Sequence, residues 1–139
     1  MFHFYEDAAG EHRWRLKDTN GRIVADSGQG YSDKRDAEHG AKVFAQLGPD
    51  APEHETDGPS GKAKNPDFEY FPGSDGDWYW HFEAANGKVT ADGAEGYASK
   101  ANVQRAIANV KELLRALQEG NSGFEKPKPS GPVRGGRFA

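Results

Sequence analysis

Between residues 12 and 17 apolar and cationic side chains alternate: Trp14 and Leu16 fall on one side, Arg13, Arg15 and Lys17 on the other. A period of two with opposite chemistry on alternate residues marks a strand with one buried face. The same period precedes this stretch at Phe2 and Phe4, ahead of an Asp7-Ala8-Ala9-Gly10 turn. It follows again in Arg22 to Ala25, with Ile23 and Ala25 inward, after Asp18-Thr19-Asn20-Gly21. Asn-Gly is the strongest short hairpin signal. The period then lengthens. Ala37, Ala41, Phe44 and Leu47 recur at helical spacing with Gly40 on the same side, behind Ser32 or Asp33 as N-cap and ahead of a Gly48-Pro49 stop. The unit is three strands and a helix.

It occurs twice. Asn20-Gly21-Arg22-Ile23-Val24-Ala25-Asp26 through Gly30-Tyr31 returns, 66 residues on, as Asn86-Gly87-Lys88-Val89-Thr90-Ala91-Asp92 through Gly96-Tyr97. Phe68 and Tyr70 match Phe2 and Phe4, Trp80 and Phe82 match Trp14 and Leu16, and Ser74-Asp75-Gly76-Asp77 replaces the first turn. The outward row changes: Tyr79, His81 and Glu83 stand where repeat 1 has Arg13, Arg15 and Lys17. Ser99 opens a second helix with a stripe of Val103, Ile107, Val110, Leu114 and Leu117, longer than the first by Leu113 to Glu119. A single meander under one helix leaves two open edges. Two copies remove an edge each by pairing into one antiparallel sheet, both helices on one face, in a pseudo-two-fold α+β fold. The expected divisions are repeat 1 over residues 1–48, a Pro/Gly-rich linker over 49–67, repeat 2 over 68–119 and a basic tail over 120–139, with the repeats together one domain.

Composition narrows the function classes. The 139 residues include no Cys, which excludes a disulfide scaffold, a Cys-zinc site and thiol chemistry. With no basic and apolar leader and no long apolar run, the expectation is a soluble, cytoplasmic protein away from membranes. The net charge is −4, but unevenly spread: the tail carries Lys126, Lys128, Arg134 and Arg137 against Glu125, and the body is acidic. The linker and the tail, rich in Pro, Gly and charge, are expected to lack regular structure.

The run Phe4-Tyr5-Glu6-Asp7-Ala8-Ala9-Gly10-Glu11-His12-Arg13-Trp14-Arg15-Leu16, with Asn20-Gly21, Ile23, Ala25-Asp26-Ser27-Gly28, Gly30-Tyr31 and Lys34, resembles the YegP-like family, small proteins of unknown function from bacteria and halophilic archaea. In repeat 2 Trp80, Asn86-Gly87, Ala91-Asp92, Gly96-Tyr97 and Lys100 keep the resemblance, while Ser-Gly becomes Gly93-Ala94. The resemblance implies two strand-strand-strand-helix units sharing one sheet, with a strand exchanged between halves. It implies no catalytic residue.

Candidate chemistry is sparse. Asp26 and Asp92 recur after strand three and could work as paired acid and base, but each is read as an Asx-turn acceptor. Glu53-His54-Glu55 with Asp57 sits in the linker without a scaffold to hold a metal. Ser60-Gly61-Lys62 lacks the context of a phosphate loop. No metal, cofactor or catalytic group is therefore expected, and the protein reads as a non-catalytic interaction or accessory module with a protein partner. It is expected to be a monomer, with Leu113, Leu114 and Leu117 of the longer helix as the place for a dimer contact. The alternative is a binder of single-stranded nucleic acid or another anion. It would use Arg13, Arg15, Lys17, Tyr79 and His81 on the open sheet face, aided by the tail and its single Arg-Gly-Gly element.

Overall fold

The computed structural model describes residues 1–58 and 66–120. Over these residues the order is β1 (Phe2–Glu6), β2 (His12–Lys17), β3 (Ile23–Ser27), α1 (Lys34–Leu47), a 3-10 turn (Gly48–Asp50), β4 (Glu53–Glu55), β5 (Asp67–Pro72), β6 (Trp78–Glu83), β7 (Val89–Asp92) and α2 (Lys100–Gly120). They build one sheet in the order β1-β2-β3-β7-β6-β5-β4. The halves meet at β3 and β7, an antiparallel seam of two residue pairs, Asp26 with Asp92 and Ser27 with Ala91. The expected pseudo-two-fold sheet is thus present.

The repeat holds down to single hydrogen bonds. Phe4 pairs with Trp14 as Tyr70 pairs with Trp80, and Arg15 pairs with Asp26 as His81 pairs with Asp92. The isolated bridges His12–Tyr31 and Trp78–Tyr97 correspond as well. Four glycines, Gly10, Gly21, Gly76 and Gly87, take φ between 82° and 91° at the four hairpin turns. L side chains rarely adopt that region, so these turns require Gly.

Three expectations need correction. Part of the stretch read as an unstructured linker is ordered. Glu53–Glu55 forms β4, which runs parallel to β5 and makes the sheet mixed. This strand follows the helix of repeat 1 yet lies on the outer edge of repeat 2, so among the described residues one strand crosses from one half to the other. It is held because Glu53 and Glu55 reach Lys111 and Lys100 of α2 at 2.8 Å each. Second, Val24 rather than Ile23 packs against the core. The register of β2 on β3 shifts between Leu16 and Lys17, and the bulge turns Ile23 to the open face opposite Lys17. Third, Leu47 does not continue the α1 stripe. It is 43% exposed, and Ala45 is buried with Ala37, Gly40, Ala41 and Phe44. The basic tail, its Arg-Gly-Gly element and Ser60-Gly61-Lys62 lie outside the described residues.

The core lies between the sheet and both helices. Asp33 caps α1 by accepting from the Arg35 amide at 2.9 Å, and Ser99 does the same for α2 from the Asn102 amide at 3.1 Å. Trp14 and Trp80 are buried at matched positions, 0% and 1% exposed. Phe44 of α1 stacks with both, at 5.6 Å from Trp14 and 6.5 Å from Trp80. Its counterpart on α2 is Val110, so a single ring bridges the two tryptophans.

Candidate functional site

The other face of the sheet carries the chemistry. Because Trp14 and Leu16, Ala25 and Ser27, and Ala91 are turned to the core, the residues alternating with them project away from the helices. Strand register then sets His3, Arg15, Asp26, Asp92, His81, Glu69 and His54 side by side, one per strand across the whole sheet. The row is symmetric about the seam: Arg15 corresponds to His81 and His3 to Glu69. Its charge is not symmetric. The repeat 1 side is cationic, and the repeat 2 side brings carboxylates around a histidine.

At the centre Asp26 and Asp92 are half-buried and directly opposite. Burial pushes the Asp92 carboxyl up to about 9, reinforced by its hydrogen bond to Asp26 and by the charge of Asp26, and Arg13 offsets part of this. Two carboxylates at one seam do not both ionise at neutral pH, so the pair holds a proton between them. Neither residue caps a turn, contrary to the Asx reading. The turns are held instead by Asp7, Asp18, Asp75 and Asn86, whose side-chain oxygens accept backbone N–H groups at 2.9–3.0 Å.

On the repeat 2 side His81 Nε2 lies 3.0 Å from Glu69 Oε1 and 3.0 Å from Glu83 Oε2, and all three side chains are buried. Their ligand-type atoms fall within 4.8 Å of one another, a donor set of the kind that holds a divalent cation. Beside them Asp67 Oδ2 pairs with His54 Nδ1 at 2.9 Å. Burial raises the Asp67 carboxyl, against the hydrogen bond from His54. The linker carboxylates do not join this cluster: Glu53 and Glu55 point to α2 while His54 points to the open face.

The five residues singled out for a binding surface do not share one environment. Arg13 is half-buried, its Nε 2.6 Å from Asp7 Oδ2. Arg15 is exposed with its guanidinium 4.3 Å above the Tyr5 ring. Lys17 is half-buried opposite Ile23. Tyr79 donates its hydroxyl to Asp75. His81 faces outward as expected but is buried between two carboxylates, so it is not presented to a ligand. The sequence reading missed Asp67, Glu69 and Glu83 as a cluster. Their signal was present as a second alternation, Asp67-Phe68-Glu69-Tyr70 against Trp80-His81-Phe82-Glu83.

This architecture defines a class: a single-chain protein of two fused strand-strand-strand-helix repeats around a carboxylate pair. The model of the family described as "Domain of unknown function (DUF1508)" matches residues 7–53 and 74–114, and the chain belongs to that family. A UPF0339 protein encoded in the ptx operon 5′ region of Stutzerimonas stutzeri is 32% identical over 110 residues, 79% of this chain and 85% of that protein. A UPF0339 protein of Neisseria meningitidis serogroup B is 44% identical over 43 residues, 31% of this chain and 75% of its own length. Two solution structures share the fold. The protein of unknown function yegP from E. coli has a TM-score of 0.64 at 23% identity, covering 81% of this chain and 84% of that one. A UPF0339 protein from Shewanella oneidensis has a TM-score of 0.63 at 18% identity, covering 82% and 83%. No helix among the described residues is long and apolar enough to cross a membrane. Nothing among the relatives supports the nucleic-acid alternative, and carboxylates at the centre of the open face oppose a phosphate backbone.

Proposed function

We propose that this protein is a non-catalytic interaction module, monomeric and cytoplasmic, which engages a partner protein through the open sheet face. A lysine or arginine of the partner seats on the Asp26–Asp92 pair. The observation that carries this reading is the direct opposition of two half-buried carboxylates at the seam. A site that retains a proton because it is half-buried and two like charges meet there exchanges that proton for a cation, and the cation then neutralises both groups. Binding on this basis releases a proton and strengthens as pH rises. Covalent fusion of the repeats favours the monomer, since one chain supplies both sides of the seam.

A dye-labelled decalysine peptide titrated at low salt, with anisotropy as the readout, tests the cation site. The wild-type protein should bind more tightly at pH 8.5 than at pH 6. Asp26→Asn/Asp92→Asn should weaken binding more than Asp36→Asn/Glu112→Gln, which removes at least as much charge from the exposed helix surfaces. Equal loss in both double variants, or no binding by the wild type, overturns the reading.

A further inference from the structure

The fold repeats, but the residues lining one cavity do not. A groove of about 500 Å³ lies on the helix side, where α2 crosses the β2–β3 turn of repeat 1. Val24, Ala106, Val110 and Leu113 line its apolar part, and Arg22, Tyr97, Asn102, Arg105 and Asn109 stand around them. Residues 66 positions away show how that lining differs. Where the groove has Val110, the other half has Phe44, whose ring is taken up between the two tryptophans. Where it has Ala106, the other half has Gly40, and a Cβ built there would lie 2.6 Å from the Tyr31 hydroxyl oxygen. Tyr31 therefore rests against bare helix backbone, whereas Tyr97 lines the groove together with the Ala106 methyl group. Two replacements, a smaller core residue and a larger helix residue, distinguish the lining of this groove from the matching place across the pseudo-dyad.

The polar groups around that space contact one another at its rim. Arg105 Nη1 donates to Asn102 Oδ1 at 2.9 Å, and Arg22 Nη2 lies 3.6 Å from Glu95 Oε2. The lining also includes Asp18, whose Oδ1 accepts the Asn20 and Arg22 amides at 2.9 and 3.0 Å. That leaves two guanidinium groups and two carboxamides beside a hydrophobic floor. Such a volume suits a small ligand, since cavities of about 300–1,000 Å³ with few polar groups typically take one. We infer that this groove binds a small organic anion, an aryl or short acyl body bearing one carboxylate or sulfonate. The apolar body lies on Val24, Val110 and Leu113, and the anionic end pairs with Arg105 and Arg22, whose planar forks suit a carboxylate. The site lies on the opposite side of the sheet from the carboxylate row and is independent of the partner reading.

The probe is 8-anilinonaphthalene-1-sulfonate, with its uncharged relative N-phenyl-1-naphthylamine as comparison. The native protein should bind one equivalent of the sulfonate with a blue-shifted emission, and amide NMR signals of Tyr97, Asn102 and Asn109 should move on titration. Arg105→Gln should weaken the sulfonate at least about fivefold and leave the neutral dye unchanged, fivefold being about 1 kcal/mol. Ala106→Leu fills the groove and should abolish binding of both. Asn109→Trp, at an exposed position on the rim, gives the same blockade without touching the core. Binding that survives both Ala106→Leu and Asn109→Trp overturns the site. A neutral dye that binds the wild type as tightly as the sulfonate overturns its preference for anions.

Discussion

Asp26 and Asp92 face each other across the seam that joins the two repeats, each the other's direct strand partner. Like charges directly opposite destabilise a sheet, and this pair makes one of only two residue pairs in that seam. The proton held between them is therefore part of what keeps the halves together.

The first prediction is a stability profile tilted toward acid. The Asp92 and Asp67 carboxyls titrate above their unfolded values, so their contribution is complete below about pH 4 and is lost as pH rises, for Asp92 through about 9. Asp7 is held below the usual range by its hydrogen bond from Arg13, and Asp75 by its hydrogen bond from Tyr79, so their contribution disappears at strongly acid pH. The melting temperature should be highest in the mildly acid range and fall toward pH 9. Asp92→Asn, which keeps a donor facing Asp26, should raise it at pH 8.5 and flatten the alkaline slope. A profile rising from pH 5 to pH 8.5 contradicts the shared proton.

Phe44 ties the tryptophans of both repeats into one core. Phe44→Ala should cost about 3–5 kcal/mol, as should Trp14→Ala. In denaturant unfolding, double-mutant cycles should give coupling between Phe44 and each tryptophan, because its ring stacks on both. Additive losses would show that the halves pack separately.

His81 is enclosed by Glu69 and Glu83, so removing its imidazole leaves two carboxylates close together and buried. His81→Ala removes a buried imidazole within hydrogen-bond distance of both carboxylates and should destabilise by about 1–3 kcal/mol. His81→Gln, which retains a donor, should recover part of that. Arg15→Ala, at the matched but exposed position of repeat 1, should stay within about 0.5 kcal/mol.

Gly21 and Gly87 both take φ near +83°, and a Cβ at Gly21 would meet nothing within 4 Å. Replacing Gly21 with Ala therefore isolates the backbone term, about 1–2 kcal/mol for a left-handed conformation, and Gly87 carries the same backbone term. Equal losses are expected in equilibrium unfolding, since the turns correspond. A threefold difference would mean that the repeats are not energetically equivalent.

Much of the fold could be read from the chain because its signals are local. Alternation at Trp14 and Leu16, the Asn20-Gly21 and Asn86-Gly87 turns, and the spacing of Val103, Ile107, Val110 and Leu114 each depend on residues close in sequence. The offset between copies then dictates a shared sheet. β4 escaped because a three-residue strand just after Pro52 carries no periodicity of its own. It forms only where Lys100 and Lys111 meet its glutamates and β5 offers an open edge.

The sequence by itself determined the repeat, the strand and helix types apart from β4, and, except at Ile23 and Leu47, which residues turn from the core. Tertiary structure decided which of those residues meet. That Asp26 opposes Asp92 follows from which edges the two repeats join, a pairing between residues 66 apart that no local pattern encodes. The same pairing brings Asp92 beside His81 and Arg15 beside Asp26, and burial then sets which carboxyl keeps its proton. The groove beside Ala106 likewise takes its lining from unequal residues at equivalent places in a packed core.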